Sequence, residues 1–322
     1  MSRTKSAPHR HGFLLLDKPE GLTSHDVVDL VRRAAGQRQV GHTGTLDPMA
    51  TGLMVLLLGR ATRLEPWLTK MDKVYTGQLE LGLSTDSDDR TGQILDRHSG
   101  PWPGEDLIRR ALADGLGEQD QIPPAFSAVK VDGRRAYKAA RAGEALELKP
   151  RRVAVRSLTL IDYQPPLLDF RAEVSSGFYI RSLARDLGRN LGPGGALTRL
   201  RRESVGLWSV IEAVSPESLV AWTDEDWRAG LKPPAEALPH WPDLVLPPAE
   251  LIRFGQGQKL SRPAEEPGQY KILDASGCLC GLGEIITPPS DGGLNPPRRP
   301  FLRPLRVFPD DLSSGYQTDG KE

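Results

Sequence analysis

Apolar positions along the chain fall into short runs whose spacing predicts the elements. Residues 12–16 form a short apolar strand that ends in the turn Asp17-Lys18-Pro19-Glu20-Gly21. Val27, Val28, Leu30 and Val31 recur at helical spacing over residues 25–35, with Thr23 or Ser24 as cap and Gly36 as stop. Residues 53–58 are uninterruptedly apolar and predict a buried strand or core segment. A helix is expected over residues 61–71. Residues 73–81 then alternate as a strand, with Tyr75, Gly77, Leu79 and Leu81 on one face. An amphipathic helix is expected over residues 105–116, a strand over 170–174, and a helix leading through Leu187. Residues 215–243, rich in Pro, Trp and acids, read as a helix plus linker. Beyond them, residues 251–258 and strands near 270–273, 281–286 and 305–308 suggest a small β-barrel, with a Pro- and Gly-dense loop at 287–300.

Composition narrows the picture. The length allows one large domain and a smaller one. Lys plus Arg and Asp plus Glu both number 42, so any nucleic-acid binding rests on uneven placement of charge. One such place is residues 130–156, where nine basic residues stand against three acidic ones, with Tyr137 among them. Low apolar periodicity and positive charge suit a flap laid on a phosphate backbone. Residues 197–203 form a second basic cluster, while the acidic residues 84–89 lack the spacing of a calcium loop and read as a solvated turn. Cys278 and Cys280 stand too close in a strand for an unstrained disulfide, and no further soft ligands accompany them for zinc. No run reaches membrane-span length, and the basic, polar residues 1–11 lack the core of a signal peptide. A cytoplasmic protein with a disordered leader (1–11) and a disordered tail (310–322) is expected.

The candidate chemistry centres on residues 41–52, Gly-His-Thr-Gly-Thr-Leu-Asp-Pro-Met-Ala-Thr-Gly. Pro48 disfavours the α region at Asp47, so this carboxylate sits in an extended or turn conformation at the edge of the apolar run. The loop lacks the Gly-Lys-Ser/Thr ending of a phosphate cradle. It closely resembles the signature of the TruB family, the tRNA pseudouridine-55 synthases, in which the aspartate of G-H-T-G-x-L-D-P is catalytic. The opening phrase from Asp17 to Ser24, Lys73-Val74-Tyr75, Gly177-Phe178-Tyr179-Ile180-Arg181, and the stretch from Leu197 match further motifs of that family. Together the matches cover roughly residues 12–210.

The resemblance implies an α+β fold: a catalytic domain over 12–235 built on a mixed, largely antiparallel sheet, with a basic thumb insertion at about 124–152. It implies, more weakly, a PUA-like RNA-binding β-barrel over 244–309. It implies that Asp47 is catalytic, that Arg181 pairs with it, and that Tyr75 stacks on the target base. Tyr179 and Leu200 would line the uridine pocket, and His42 would either wedge into the RNA stack or stay a satisfied loop histidine. Lys130, which closes Phe126-Ser127-Ala128-Val129-Lys130, counts among the substrate-binding residues. Phe126 departs from the family's tyrosine there and loses its hydroxyl. Isomerising uridine to pseudouridine moves no electrons or phosphates, so the balance of atoms requires no cofactor. Asp47 would act either as nucleophile or as base on the sugar. The expected substrate is the T-arm stem-loop of tRNA, bound by a monomer with no obligatory protein partner. A guide-RNA-dependent synthase of ribosomal RNA is disfavoured by the compact length.

Overall fold

The computed structural model describes residues 9–127, 129–131, 133–142, 144, 146–262, 264–287 and 299–308. Its main body is a mixed sheet built from β1 (Gly12–Lys18), β2 (Val40–His42), β3 (Thr51–Leu58), β4 (Lys73–Leu81), β5 (Gly117–Gln121), β6 (Arg151–Gln164), β7 (Leu167–Val174) and β8 (Gly195–Val205). The strand order is β1-β3-β8-β4-β7-β6-β5, with β2 and the short strand Trp208–Ser209 paired off this path. All pairings are antiparallel except β3 with β8, which meet in parallel at Thr51 and Gly52 only. Helices α1 (Ser24–Ala35), α2 (Glu105–Asp114) and α3 (Ile180–Leu191) pack on one face.

The core explains the apolar patterns. Leu14, Leu16, Leu56 and Leu79 meet Val27 and Val31 of α1 and Leu183 and Leu187 of α3. On the reverse face of β1 and β3, Phe13, Leu15, Leu53, Val55 and Leu57 pack against Leu273, Leu279, Leu282 and Phe308. A strand covered on both faces cannot alternate, which is why residues 53–58 are apolar throughout. Thr23 caps α1 through a reciprocal box with Asp26, and Gly36 ends the helix at φ 64°.

Several expectations need correction. The helix expected over 61–71 is a 3-10 helix, Gly59–Leu64, running into one α-turn, Glu65–Leu68. Pro66 has no N–H to continue the ladder, and Thr62 O takes the Glu65 N–H instead. The basic cluster at 197–203 is central strand β8. The basic stretch 130–156 divides into a hairpin, Lys130–Val131 with Arg134–Arg135, a helix, Ala136–Arg141, and the head of β6. Arg10, assigned to the leader, is docked: its guanidinium donates to Ala35 O and lies over the Trp227 ring. Residues 1–8, the tail 310–322 and residues 288–298 of the loop lie outside the described residues.

The C-terminal part comprises β9 (Asp243–Val245), α4 (Pro248–Gly255), β10 (Leu260–Ser261), β11 (Gly268–Leu273), β12 (Leu279–Ile286) and β13 (Phe301–Val307). Residues 251–255, grouped with strands in the sequence reading, belong to helix α4. The strands form a sheet of order β9-β11-β12-β13-β10, open rather than closed into a barrel among the described residues. No helix among the described residues is long and apolar enough to cross a membrane.

Candidate active site

Asp47 lies where the main sheet splits. Strand β3 is paired with β1 along its length; on its other side, β2 covers Leu56 to Leu58 and β8 covers only Thr51 and Gly52. The Arg202 side chain, 2% exposed, fills the opening between them. Its Nε donates to Leu53 O at 2.6 Å, Nη2 to Gly44 O at 3.0 Å and Nη1 to Thr45 O at 3.5 Å. A side chain thus supplies the donors that a neighbouring strand would otherwise provide. Gly52 is required at the close crossing, because at φ 104° a Cβ would collide with the Arg202 backbone. Burial and the Arg202 charge together push the Lys73 amine down to about 8.

The rest of the loop is fixed from below. The Ser24 hydroxyl accepts from Leu46 N at 2.8 Å and donates to Leu46 O at 2.9 Å. Ala50 N donates to Asp47 O at 3.0 Å, closing a turn with Pro48 at its second position. Gly21 N donates to Pro48 O at 2.8 Å. The fully buried Lys18 amine donates to Pro19 O and Leu22 O; burial holds it down at about 8, with Asp47 opposing.

Arg181, the second residue of α3, grips the carboxylate with two nitrogens: Nε to Oδ2 at 2.9 Å and Nη2 to Oδ1 at 3.2 Å. Such fork-to-fork pairing fixes direction as well as charge. Nη1 donates to Ser87 O at 3.1 Å, and Nη2 also to Phe126 O at 2.9 Å. The Arg181 side chain is 7% exposed and that of Asp47 34%, so the acid keeps one open side. Burial lifts the Asp47 carboxyl above its ordinary value, Arg181 pulls it back, and the nearby Asp89 adds to the lift.

The acidic residues 84–89, read from sequence as a solvated turn, form part of this wall. Asp89 is buried, lies 3.7 Å from Arg181, and accepts from Ser87 Oγ, Thr91 N and Thr91 Oγ1. Asp88, at φ 62°, pairs with Arg185 of α3. Sequence reasoning also missed Gln121 at the end of β5. Its amide accepts from Tyr179 N at 2.8 Å and donates to Tyr179 O at 3.0 Å, extending strand-like pairing by one side chain. Ile122 O then accepts from Ser182 Oγ and Arg185 Nη2. Only the alternation of basic and apolar residues across 197–203 could have marked β8 and the inward Arg202; Gln121 and Asp89 carry no local signal.

The other predicted residues fall as follows. Tyr75 and Leu200 are both buried in the helix-covered core, on adjacent strands β4 and β8, with Leu200 opposite Gly77 and Tyr75 opposite Arg202. Tyr179 is half-buried immediately before α3, and burial raises its phenol. His42 ends β2 at the head of the Asp47 loop. Its Nδ1 accepts from Gly44 N at 3.3 Å, and burial with the Arg202 charge lowers its pKa, so the ring is neutral. The backbone of Lys130 pairs with Arg135, and its side chain lies outside the described residues. A groove of about 430 Å³ opens at Met49, Thr51 and Leu200 and runs over Thr76 and Gln78.

Comparison with known proteins gives two family matches. The TruB family pseudouridylate synthase N-terminal domain matches residues 32–180, and the pseudouridine synthase II TruB C-terminal domain matches residues 242–298. A tRNA pseudouridine synthase B of Xanthomonas campestris pv. campestris is 40% identical over 290 residues, spanning 89% of this chain and 93% of that protein. One from Thermobifida fusca is 42% identical over 282 residues, spanning 85% and 94%. Among solved structures, a chain of a Cbf5-Nop10-Gar1 complex superposes with a TM-score of 0.70 at 25% identity, covering 94% of this chain and 86% of that one.

Proposed function

Because this chain belongs to the TruB family of pseudouridylate synthases, we propose that it converts uridine 55 in the T-arm loop of tRNA to pseudouridine and that Asp47 is the carboxylate the reaction turns on. The observation that carries the reading is the two-nitrogen grip of Arg181 on an acid that retains an open side. Burial alone would favour the neutral acid; the guanidinium opposes this and leaves the oxygens aimed. Held so, the carboxylate either attacks the sugar or base as nucleophile or takes a sugar proton. Both routes break the N1–C1′ bond, let the base turn, and join C5 to C1′; C5 then gives up its hydrogen as a proton and N1 takes one up, so atoms and electrons balance.

A base within a folded loop must leave its stack to reach Asp47, at a cost of roughly a few kcal/mol. Stacking on the Tyr75 ring returns about 1–3 kcal/mol. Tyr179 and Leu200 close the pocket against water, which would otherwise capture the sugar. His42, neutral and fixed by Gly44, fills the vacated place in the RNA stack. The basic stretch around Lys130 acts as a thumb on the RNA backbone, and the C-terminal sheet acts as a PUA-like RNA-binding unit. The enzyme acts on tRNA as a cytoplasmic monomer without a protein partner.

The test uses the full chain and a bare T-arm hairpin. Asp47→Asn keeps the size and removes the charge, so it should bind the hairpin while pseudouridine formation drops by at least about 10³-fold, the scale of losing an essential reacting group. Product at a wild-type rate from that variant would refute the role. A wild-type enzyme idle on the bare hairpin would point instead to a guided, partner-dependent synthase.

A further inference from the structure

The Phe126–Ser127 step reaches the site on the wall that faces the Asp47 loop across Arg181. Phe126 O accepts from Arg181 Nη2, and Ser127 O accepts from Tyr137 N at 3.0 Å, so the backbone is tied on both sides of the serine side chain. Ser127 is 4% exposed, and its hydroxyl has no hydrogen-bond partner among the described residues. Only one other buried side-chain polar atom there, Arg32 Nε on α1, shares that condition. A hydroxyl shut away without a partner is a net loss to folding, and alanine would occupy the same space without it. The Ser127 side chain lies beside the Tyr179 phenol and favours its ionised form, while Asp47 acts on the same phenol in the opposite sense.

We propose that Ser127 contacts the substrate base, its hydroxyl completing its hydrogen bonding on the polar edge of the flipped uracil beside Tyr179. Uracil presents an N3–H donor between two carbonyl acceptors, and a hydroxyl both donates and accepts. Tyr75 and Leu200 offer the base apolar contact, and the Arg181 nitrogens are engaged by Asp47, Ser87 and Phe126. The Tyr179 backbone is likewise occupied, by Gln121. Ser127 therefore offers the base, beside the Tyr179 phenol, a hydroxyl that no group among the described residues satisfies.

The proposal rests on Asp47 being the reacting acid, and the experiment separates the two ideas. Ser127→Ala is compared with the wild type in three measurements: the denaturant midpoint of the RNA-free protein, kcat/KM on a T-arm hairpin, and hairpin affinity in an Asp47→Asn background. The expected result is opposite signs. The RNA-free midpoint stays equal or rises, while kcat/KM and hairpin affinity each fall about tenfold. An unchanged kcat/KM overturns the proposal. So does a lowered midpoint, which would mean that the hydroxyl is already bonded inside the protein. Pseudouridine formed at a wild-type rate by Asp47→Asn alone would instead overturn the reading of Asp47.

Discussion

The loop carrying Asp47 and the strand end carrying Gln121 to Ser127 meet at the same Arg181 guanidinium, yet they are fastened in different ways. Residues 43–50 are held through their backbone from behind, by the Arg202 guanidinium, the Ser24 hydroxyl, the Lys18 amine and the Gly21 amide. Residues 121–126 hang from side chains of α3 and from the backbone of its leading residue: Gln121 on the Tyr179 backbone, Ile122 on Ser182 and Arg185, Phe126 on Arg181. The first arrangement places the acid before any substrate arrives. The second leads directly into the basic stretch, so force applied to that stretch reaches Arg181 through one carbonyl. Positioning groups before reaction is what catalysis by fixed charges requires, whereas a wall that admits a large polymer needs fewer fixed contacts.

Removing Arg202 should break the comparison most severely. Arg202→Ala leaves three carbonyls without their donor, Leu53 O in β3 and Gly44 O and Thr45 O in the loop beside it, at about 1–3 kcal/mol for each that stays unsatisfied. A loss of at least about 3 kcal/mol by denaturant unfolding is expected, with activity falling as the Asp47 loop drifts; unchanged stability would mean that the loop does not depend on this guanidinium. Gln121→Ala acts on the other wall and should be milder. It frees the Tyr179 backbone without touching the acid, so kcat/KM falls about tenfold, roughly 1.4 kcal/mol, mostly through KM. Gln121→Glu, which can still accept from Tyr179 N, should recover part of the loss, and equal defects in both variants would count against a positioning role.

The smallest expected effect is in pH dependence. The folded Asp47 carboxyl titrates above the ordinary value of 3.8, chiefly through burial. The role proposed for Asp47 requires its ionised form, so on that proposal the acid limb of kcat/KM should lie above pH 3.8. The native state holds this proton more tightly than the unfolded chain does, so this group's contribution to stability declines as pH rises from 3.8 through the folded pKa. Asp89 contributes to the upward shift, and Asp89→Asn should move the acid limb to lower pH. A limb that stays in place would remove Asp89 from the electrostatics of the site.

Local chemistry made much of this legible. Thr23 and Gly36 bracket α1 because capping and left-handed stops are decided within a few residues. Strand β4 follows its alternation, with Tyr75, Gly77, Leu79 and Leu81 facing the core, except at Gln78, which is buried on the other face. Where a residue answers to distant neighbours the reading failed. The stretch 84–89 reads as polar and solvated, and only Arg181 arriving from α3 turns Ser87 and Asp89 inward. The stretch 197–203 reads only as a basic cluster, because a strand that exposes Arg199 while burying Arg202 in a gap does not look like a core strand.

By itself the sequence determined which carboxylate stands in a proline-led turn at the edge of an apolar strand, and which family motifs surround it. The tertiary structure alone decided that Asp47 meets a guanidinium 134 residues away, that a second buried arginine closes the seam behind it, and that a serine on the facing wall finds no hydrogen-bond partner among the described residues. Turns and caps are settled by short-range sterics and hydrogen bonds. The partners of a buried charge or hydroxyl are settled by which strands the sheet sets side by side, which no local pattern encodes.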